Sequence, residues 1–208
     1  RFLSVSVRAP LELDSMGFAW YPLEVSERGL ELDAEGAGKA CAQVGELIET
    51  LRSEYASEQV FVLGFSQGGG IAMAAALKAP DRFAGAIPFV AFGNSCLLNN
   101  LRHVGVWCHH GLEDWTSSIG NIRVYCQTLH KKGYPAILKE YPGQGHSIRK
   151  PVNTDPWLLS QQVPDRPEAV VFEYESPEHS SAYWVDIRRP SRVHHRALVR
   201  ARVFSQEN

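Results

Sequence analysis

The stretch from Val60 to Leu77, Val-Phe-Val-Leu-Gly-Phe-Ser-Gln-Gly-Gly-Gly-Ile-Ala-Met-Ala-Ala-Ala-Leu, constrains the fold of this chain more than any other. Its first four residues form a continuous apolar run, as a central parallel strand covered on both faces requires. The run turns at Gly64 and continues as a small-residue helix that stops before Pro80. The same pattern recurs downstream. Apolar runs at 86–91, 104–109 and 136–141 read as buried strands, and 119–132 reads as a helix closed by Gly133. Upstream, Ala37, Ala40, Cys41, Val44, Leu47, Ile48, Leu51 and Tyr55 step by threes and fours. That spacing predicts an amphipathic helix with Asp33 as its N-cap. Phe2 to Val7 alternates as a short strand. Strand and helix in alternation predict an α/β class with a mostly parallel, doubly wound sheet. Right-handed crossovers then gather the strand-exit loops along one edge, where such sheets place their sites.

The pattern changes after residue 150. All seventeen glycines and all six lysines lie at or before Lys150, and Pro151, Pro156, Pro164 and Pro167 follow. We read 1–150 as the α/β domain, 151–167 as a linker and 168–208 as a β-meander. Its three strand-like runs are 169–175, 182–188 and 197–204. Twenty-one Lys and Arg against 23 Asp and Glu give a net charge of −2. No strong field recruits nucleic acid, and the tail arginines are balanced by nearby acids. No apolar run approaches the roughly 18 residues of a membrane span, so no stable membrane insertion is expected. The four cysteines lack metal-ligand spacing and read as buried reduced thiols, which favours a cytoplasmic setting. The adjacent pairs His109-His110 and His194-His195 point to opposite faces of a strand, so no metal site is expected either. The 208 residues carry no signature of oligomeric state.

Gly64-Phe-Ser-Gln-Gly68 is a G-x-S-x-G set between a strand and a helix. The turn is too tight for Cβ atoms at the flanking positions, and it lifts the Ser66 hydroxyl above the sheet edge. There the Gln67 N–H and the helix dipole face a developing oxyanion. The alternative reading is a glycine-rich turn with a bystander serine. A serine hydroxyl is a weak nucleophile and needs a base, which in turn needs an orienting acid. Asp81 follows Pro80 after a helix and reads as a solvated turn residue, whereas Asp114 lies just past a buried strand on the same edge as Ser66. His130 sits near a helix C-terminus, where the dipole accounts for it. His146 lies in the glycine-rich loop after the last parallel strand. The order Ser66, Asp114, His146, each on a strand-exit loop, is the α/β-hydrolase arrangement.

The three motifs 60–69, Gly111-Leu-Glu-Asp114 and Tyr141-Pro-Gly-Gln-Gly-His146, with Ala19-Trp-Tyr21, resemble the phospholipase/carboxylesterase family, which includes the acyl-protein thioesterases. The resemblance covers about residues 1–149. It implies an α/β-hydrolase fold and cleavage of small-molecule carboxylic esters or thioesters without a cofactor. Ser66 would be the nucleophile, His146 the base, Asp114 the orienting acid and Gln67 N–H one oxyanion donor. Two departures stand out. No His precedes Ser66, although the family carries a His-Gly loop that supplies a second oxyanion N–H. The first strand and that loop are therefore expected to be missing from 1–150. Trp115 follows Asp114 where the family has Val-Pro. Trp20, Phe92 and Trp115 are the candidate substrate-binding residues, with Leu97, Leu98 and Leu101 either lining an acyl site or packing in the core. Two other readings are a non-catalytic hydrolase-like binding protein and a peptidase of the same fold.

Overall fold

Four parallel strands form the central sheet: β5 (Phe61–Phe65), β6 (Gly85–Phe89), β7 (Gly105–Gly111) and β8 (Ala136–Tyr141), hydrogen-bonded in that order. They belong to a computed structural model that describes residues 2–13, 17–26, 29–91, 95–188 and 196–204. Two antiparallel hairpins precede the sheet. In the first, β1 (Leu11–Leu13) pairs with β2 (Gly17–Ala19); in the second, β3 (Leu23–Ser26) pairs with β4 (Gly29–Leu32). Residues 2–7, expected as a strand, lie outside any strand or helix, and Leu3, Val5 and Val7 are exposed. Alternation alone does not make a strand when no ladder partner is at hand.

Helix α1 (Ala34–Tyr55) begins where expected: Asp33 Oδ1 accepts from Gly36 N at 2.9 Å. It ends at Ala56, held in the left-handed region at φ 48°. Helices α2 (Gln67–Lys78) and α3 (Ile119–Lys131) are the crossovers from β5 to β6 and from β7 to β8. A 3₁₀ segment, Ser95–His103, connects β6 to β7. Because consecutive strands are neighbours, right-handed crossovers stack these connections on one face. Met73, Leu77, Leu97, Leu98, Leu101, Ile122 and Leu129 there cover Ala86, Val106 and Cys108 to form the main core. This settles the leucines of 97–101 as core residues and not walls of an acyl site. Three of the four cysteines (Cys41, Cys108 and Cys126) are buried, and none of the four is in a disulfide.

The opposite face carries the alternate residues Phe61, Leu63, Phe89, Trp107 and His109. Helix α4 (Asp155–Ser160) lies within the stretch expected as a linker and covers part of this face. Trp157 packs edge-on against Trp107, 5.5 Å between ring centres, and approaches Gly85 and Gly105 so closely that a Cβ at either would press on its ring. His109 is fully buried between Phe89, Trp107 and Tyr141, bonded through Nδ1 to the Tyr141 hydroxyl at 2.8 Å. Burial, and secondarily the Lys139 cation, push its pKa down to about 4. Below pH 6.5 the unfolded chain binds a proton that the folded chain refuses, so stability falls with pH from about 6.5 to about 4. The loss is expected to reach about 2–3 kcal/mol, and a His109→Phe variant should flatten this part of a denaturation-versus-pH profile.

The C-terminal segment forms a two-stranded ladder and a separate miniature hairpin, not a three-stranded meander. β9 (Ala169–Tyr174) pairs antiparallel with β12 (Ala197–Arg202). The middle run folds back on itself, β10 (Ser181–Ala182) against β11 (Val185–Asp186), around Tyr183 at φ 56°. Turning there lets Tyr183 and Trp184 cap the cluster of Val170, Phe172, Tyr174 and Ala182. The ladder is docked on the main core by the buried Asn100, whose side chain behaves like one residue of a strand. Its Nδ2 donates to Glu173 O (3.1 Å) and Leu77 O (2.8 Å), and its Oδ1 accepts from Glu173 N (2.6 Å). His103 Nε2 donates to Ala169 O at 2.7 Å, and the Tyr183 hydroxyl donates to Pro80 O at 3.2 Å. Replacing Asn100 by Ala strands the buried Leu77 carbonyl and the half-buried N–H and carbonyl of Glu173. It is expected to cost about 3 kcal/mol, measurable as a fall in Tm.

Candidate active site

The site is built on the exits of β5, β7 and β8. Between β5 and α2 the chain turns through Ser66, whose backbone is forced to φ 50°, ψ −118°. Ser66 N continues the ladder to Phe89 O (2.9 Å) while Ser66 O already accepts from Gly70 N (3.0 Å), so strand and helix meet at one residue. A Cβ on Gly64 would run into the Gly68 carbonyl, and one on Gly69 would lie 2.7 Å from the Ala91 Cβ. The glycines are there for close approach, and the turn leaves the Ser66 hydroxyl aimed outward.

Ser66 Oγ lies 2.8 Å from His146 Nε2, and His146 Nδ1 lies 2.8 Å from Asp114 Oδ2. A carboxylate accepts, so Nδ1 carries the ring proton and the bare Nε2 accepts from the serine hydroxyl. The Asp114 side chain is wholly buried, whereas His146 keeps 26% exposure. A buried carboxylate demands donors. Oδ1 receives the backbone N–H groups of Thr116 and Ser117, both at 2.9 Å. The Phe65 ring stands edge-on to the His146 imidazole, 5.6 Å between centres.

Glu113, beside Asp114, turns the other way and joins the aspartate loop to the histidine loop. Its N–H donates to Gln144 O (2.9 Å), and its Oε1 accepts from Gly143 N (3.0 Å). Gly111 passes so close to the Gln144 and Gly145 carbonyls that no side chain fits between the loops. Gln67 opens α2, where first-turn N–H groups have no intrahelical acceptor and can face an anion. Its side chain is engaged elsewhere, with Oε1 accepting from Trp20 N (2.9 Å) and Nε2 donating to Tyr21 O (3.0 Å). The segment after β2 is thereby clipped to the serine turn.

The other residues singled out in the sequence fare differently. Trp20 lies against Gly68 and lines a shallow cleft with Val7, Arg8, Val44 and Leu47. Trp115 is 96% exposed. Phe92 lies outside the described residues. Asp81 and His130 are remote from the serine; His130 Nε2 donates to Ala136 O at 2.6 Å. Sequence reasoning passed over Phe65, the bond from Gly143 N to Glu113 and the Gln67 side chain. Period-2 alternation marks Phe65 as sharing a face with Leu63, but contacts between loops leave no periodic trace. Among the described residues no group of three or more His, Cys, Asp or Glu could hold a metal ion, and no helix is long and apolar enough to cross a membrane.

A strand-exit Ser, Asp and His on a parallel sheet define an α/β-hydrolase. A model of the phospholipase/carboxylesterase family matches residues 4–152, and the chain belongs to that family. A probable carboxylesterase of Oryza sativa subsp. japonica is 30% identical over 129 residues, 59% of this chain and 48% of the relative. A probable SOBER1-like carboxylesterase of Arabidopsis thaliana is 31% identical over 97 residues, 44% of this chain and 37% of the relative. The chain thus spans about half or less of the length of these two relatives. The solved structure of esterase PE8 superposes with a TM-score of 0.58 at 22% identity, covering 73% of this chain and 74% of that one. It shares the fold.

Proposed function

We propose that this chain carries the catalytic residues of a serine hydrolase acting on small-molecule carboxylic esters or thioesters. The observation that carries this reading is the unbroken relay Ser66 Oγ–His146 Nε2, His146 Nδ1–Asp114 Oδ2, each contact 2.8 Å. Ser66 Oγ attacks the acyl carbonyl carbon while its proton passes to His146 Nε2. The carbonyl electron pair moves onto oxygen beside the Gln67 N–H. As the tetrahedral species collapses, the bond to the alcohol or thiol breaks and His146 returns the proton to that leaving group. Water then attacks the acyl carbon, giving a proton to the same nitrogen; the bond from carbon to Ser66 Oγ breaks, His146 returns the proton to Oγ and the acid leaves. Asp114 holds the ring in the tautomer that keeps Nε2 bare, and no cofactor enters any step.

Trp20, Phe92 and Trp115 are the proposed contacts to the acyl and leaving groups, and the proposed setting is the cytoplasm. A fluorophosphonate probe with peptide mapping tests the reading: one adduct on Ser66 is expected. A chain left unlabelled where a known esterase reacts would leave the binding-protein reading in its place. Hydrolysis of a peptide panel in preference to an ester panel would favour the peptidase reading.

A further inference from the structure

His110 has no part in the proton relay, yet it lies against it. It sits on β7, four residues before Asp114, with no exposed side-chain surface. Its Nε2 is 2.7 Å from Ser117 O and 3.3 Å from Asp114 Oδ2. A carbonyl oxygen can only accept, so Nε2 carries a proton whatever the state of Nδ1. That N–H grips the turn at Ser117, and the same turn supplies both N–H groups held by Asp114 Oδ1. Its positive end also lies beside Oδ2, the oxygen that faces His146. From β7 outward the order of contacts is His110, the 116–117 turn, Asp114, His146, Ser66.

We infer that His110 is a positioning residue for the acid–base pair, fixing the Asp114 carboxylate through the Ser117 carbonyl. The lone pairs decide the matter. Without the His110 N–H, Ser117 O loses a buried donor, and the turn is free to rotate its amides away from Oδ1. Asp114 is then held chiefly by His146, the group it is meant to orient. Displacing a reacting group by about 1 Å costs on the order of 100-fold in rate. The kinetic consequence rests on the proposed hydrolysis, but the structural content stands on the Asp114–His146 bond alone.

Three substitutions separate position from bulk. In His110→Gln the amide Nε2 reaches the place of the imidazole Nε2 and keeps a donor. His110→Asn is polar but too short, and His110→Phe fills the space without a donor. Two quantities are measured on the full chain: p-nitrophenyl acetate kinetics, and the downfield proton resonance of His146 Nδ1–H in its bond to Asp114. The Gln variant is expected to stay close to wild type in both. The Asn and Phe variants are expected to lose about 10–100-fold in kcat with KM unchanged, and to lose the downfield signal. A Phe variant that keeps kcat and signal overturns the inference, as does a Gln variant that fares no better than Phe. If the Phe variant does not fold, the Gln–Asn pair decides alone. A wild-type chain that neither turns over ester nor reacts with fluorophosphonate overturns the hydrolase reading, and the signal in the three variants then decides the role of His110. Absence of that signal from a folded wild-type chain overturns the positioning role outright.

Discussion

Replacing Ser66 by alanine is expected to lower ester turnover by about 10⁵–10⁶-fold and to abolish fluorophosphonate labelling, with little change in Tm. The first two effects follow from removing the hydroxyl oxygen that His146 Nε2 faces at 2.8 Å. The constancy of Tm follows from the backbone. Residue 66 is held at φ 50° by the strand–helix turn, and alanine suffers the same Cβ crowding there as serine. The two side chains differ by one oxygen, so the cavity left is small. Steady-state kinetics and a thermal melt of the same preparation check both halves. A fall of less than tenfold would mean that the attacking group is another residue or a bound water.

The second large effect is expected at Asp114. Asp114→Asn preserves shape, and its remaining oxygen can still take the Thr116 and Ser117 N–H groups now at Oδ1. The new amide then faces His146 Nδ1 in place of Oδ2, setting a donor against a donor. The imidazole relieves this by shifting its proton to Nε2, the nitrogen that must accept from Ser66. A loss of about 10⁴-fold in kcat is expected, with substrate binding unchanged. It should recover in part at higher pH as Ser66 ionises without the base. A pH–rate profile of the variant is the measurement. A loss of only a few-fold would show that Asp114 does not set the tautomer.

The parallel core was readable in the sequence because its signals are local. Each strand is a run of apolar residues, so 61–65, 85–89, 105–111 and 136–141 emerge within two residues of expectation. The serine turn was equally readable, since a Cβ at Gly64 would run into the Gly68 carbonyl, although Gly68 itself has room for one. What failed was decided by partners distant in sequence. Whether 2–7 becomes a strand depends on a ladder partner, and none of the described residues supplies one. Whether 182–188 forms one strand or a hairpin depends on where Tyr183 and Trp184 find cover. Helix α4 is six residues long, too short for periodicity, and its place follows from the Trp157 ring meeting Gly85 and Gly105. At the site, spacing singled out Ser66, Asp114 and His146. The clasp between their loops, through Glu113 and Gly143, involves backbone atoms that carry no sequence signature.

The strand order bears on the time course of folding. Every pairing in the main sheet joins strands consecutive in the chain, so each βαβ unit closes over a short loop before the next is needed. The C-terminal ladder is different: the contact that docks it spans the 73 residues between Asn100 and Glu173. Contacts of that range tend to form after the folding barrier is crossed. Loss of Asn100 should therefore appear almost wholly as faster unfolding, with the refolding rate scarcely altered. For this molecule the C-terminal segment would act as a latch on kinetic lifetime, closed last over a sheet that assembles without it.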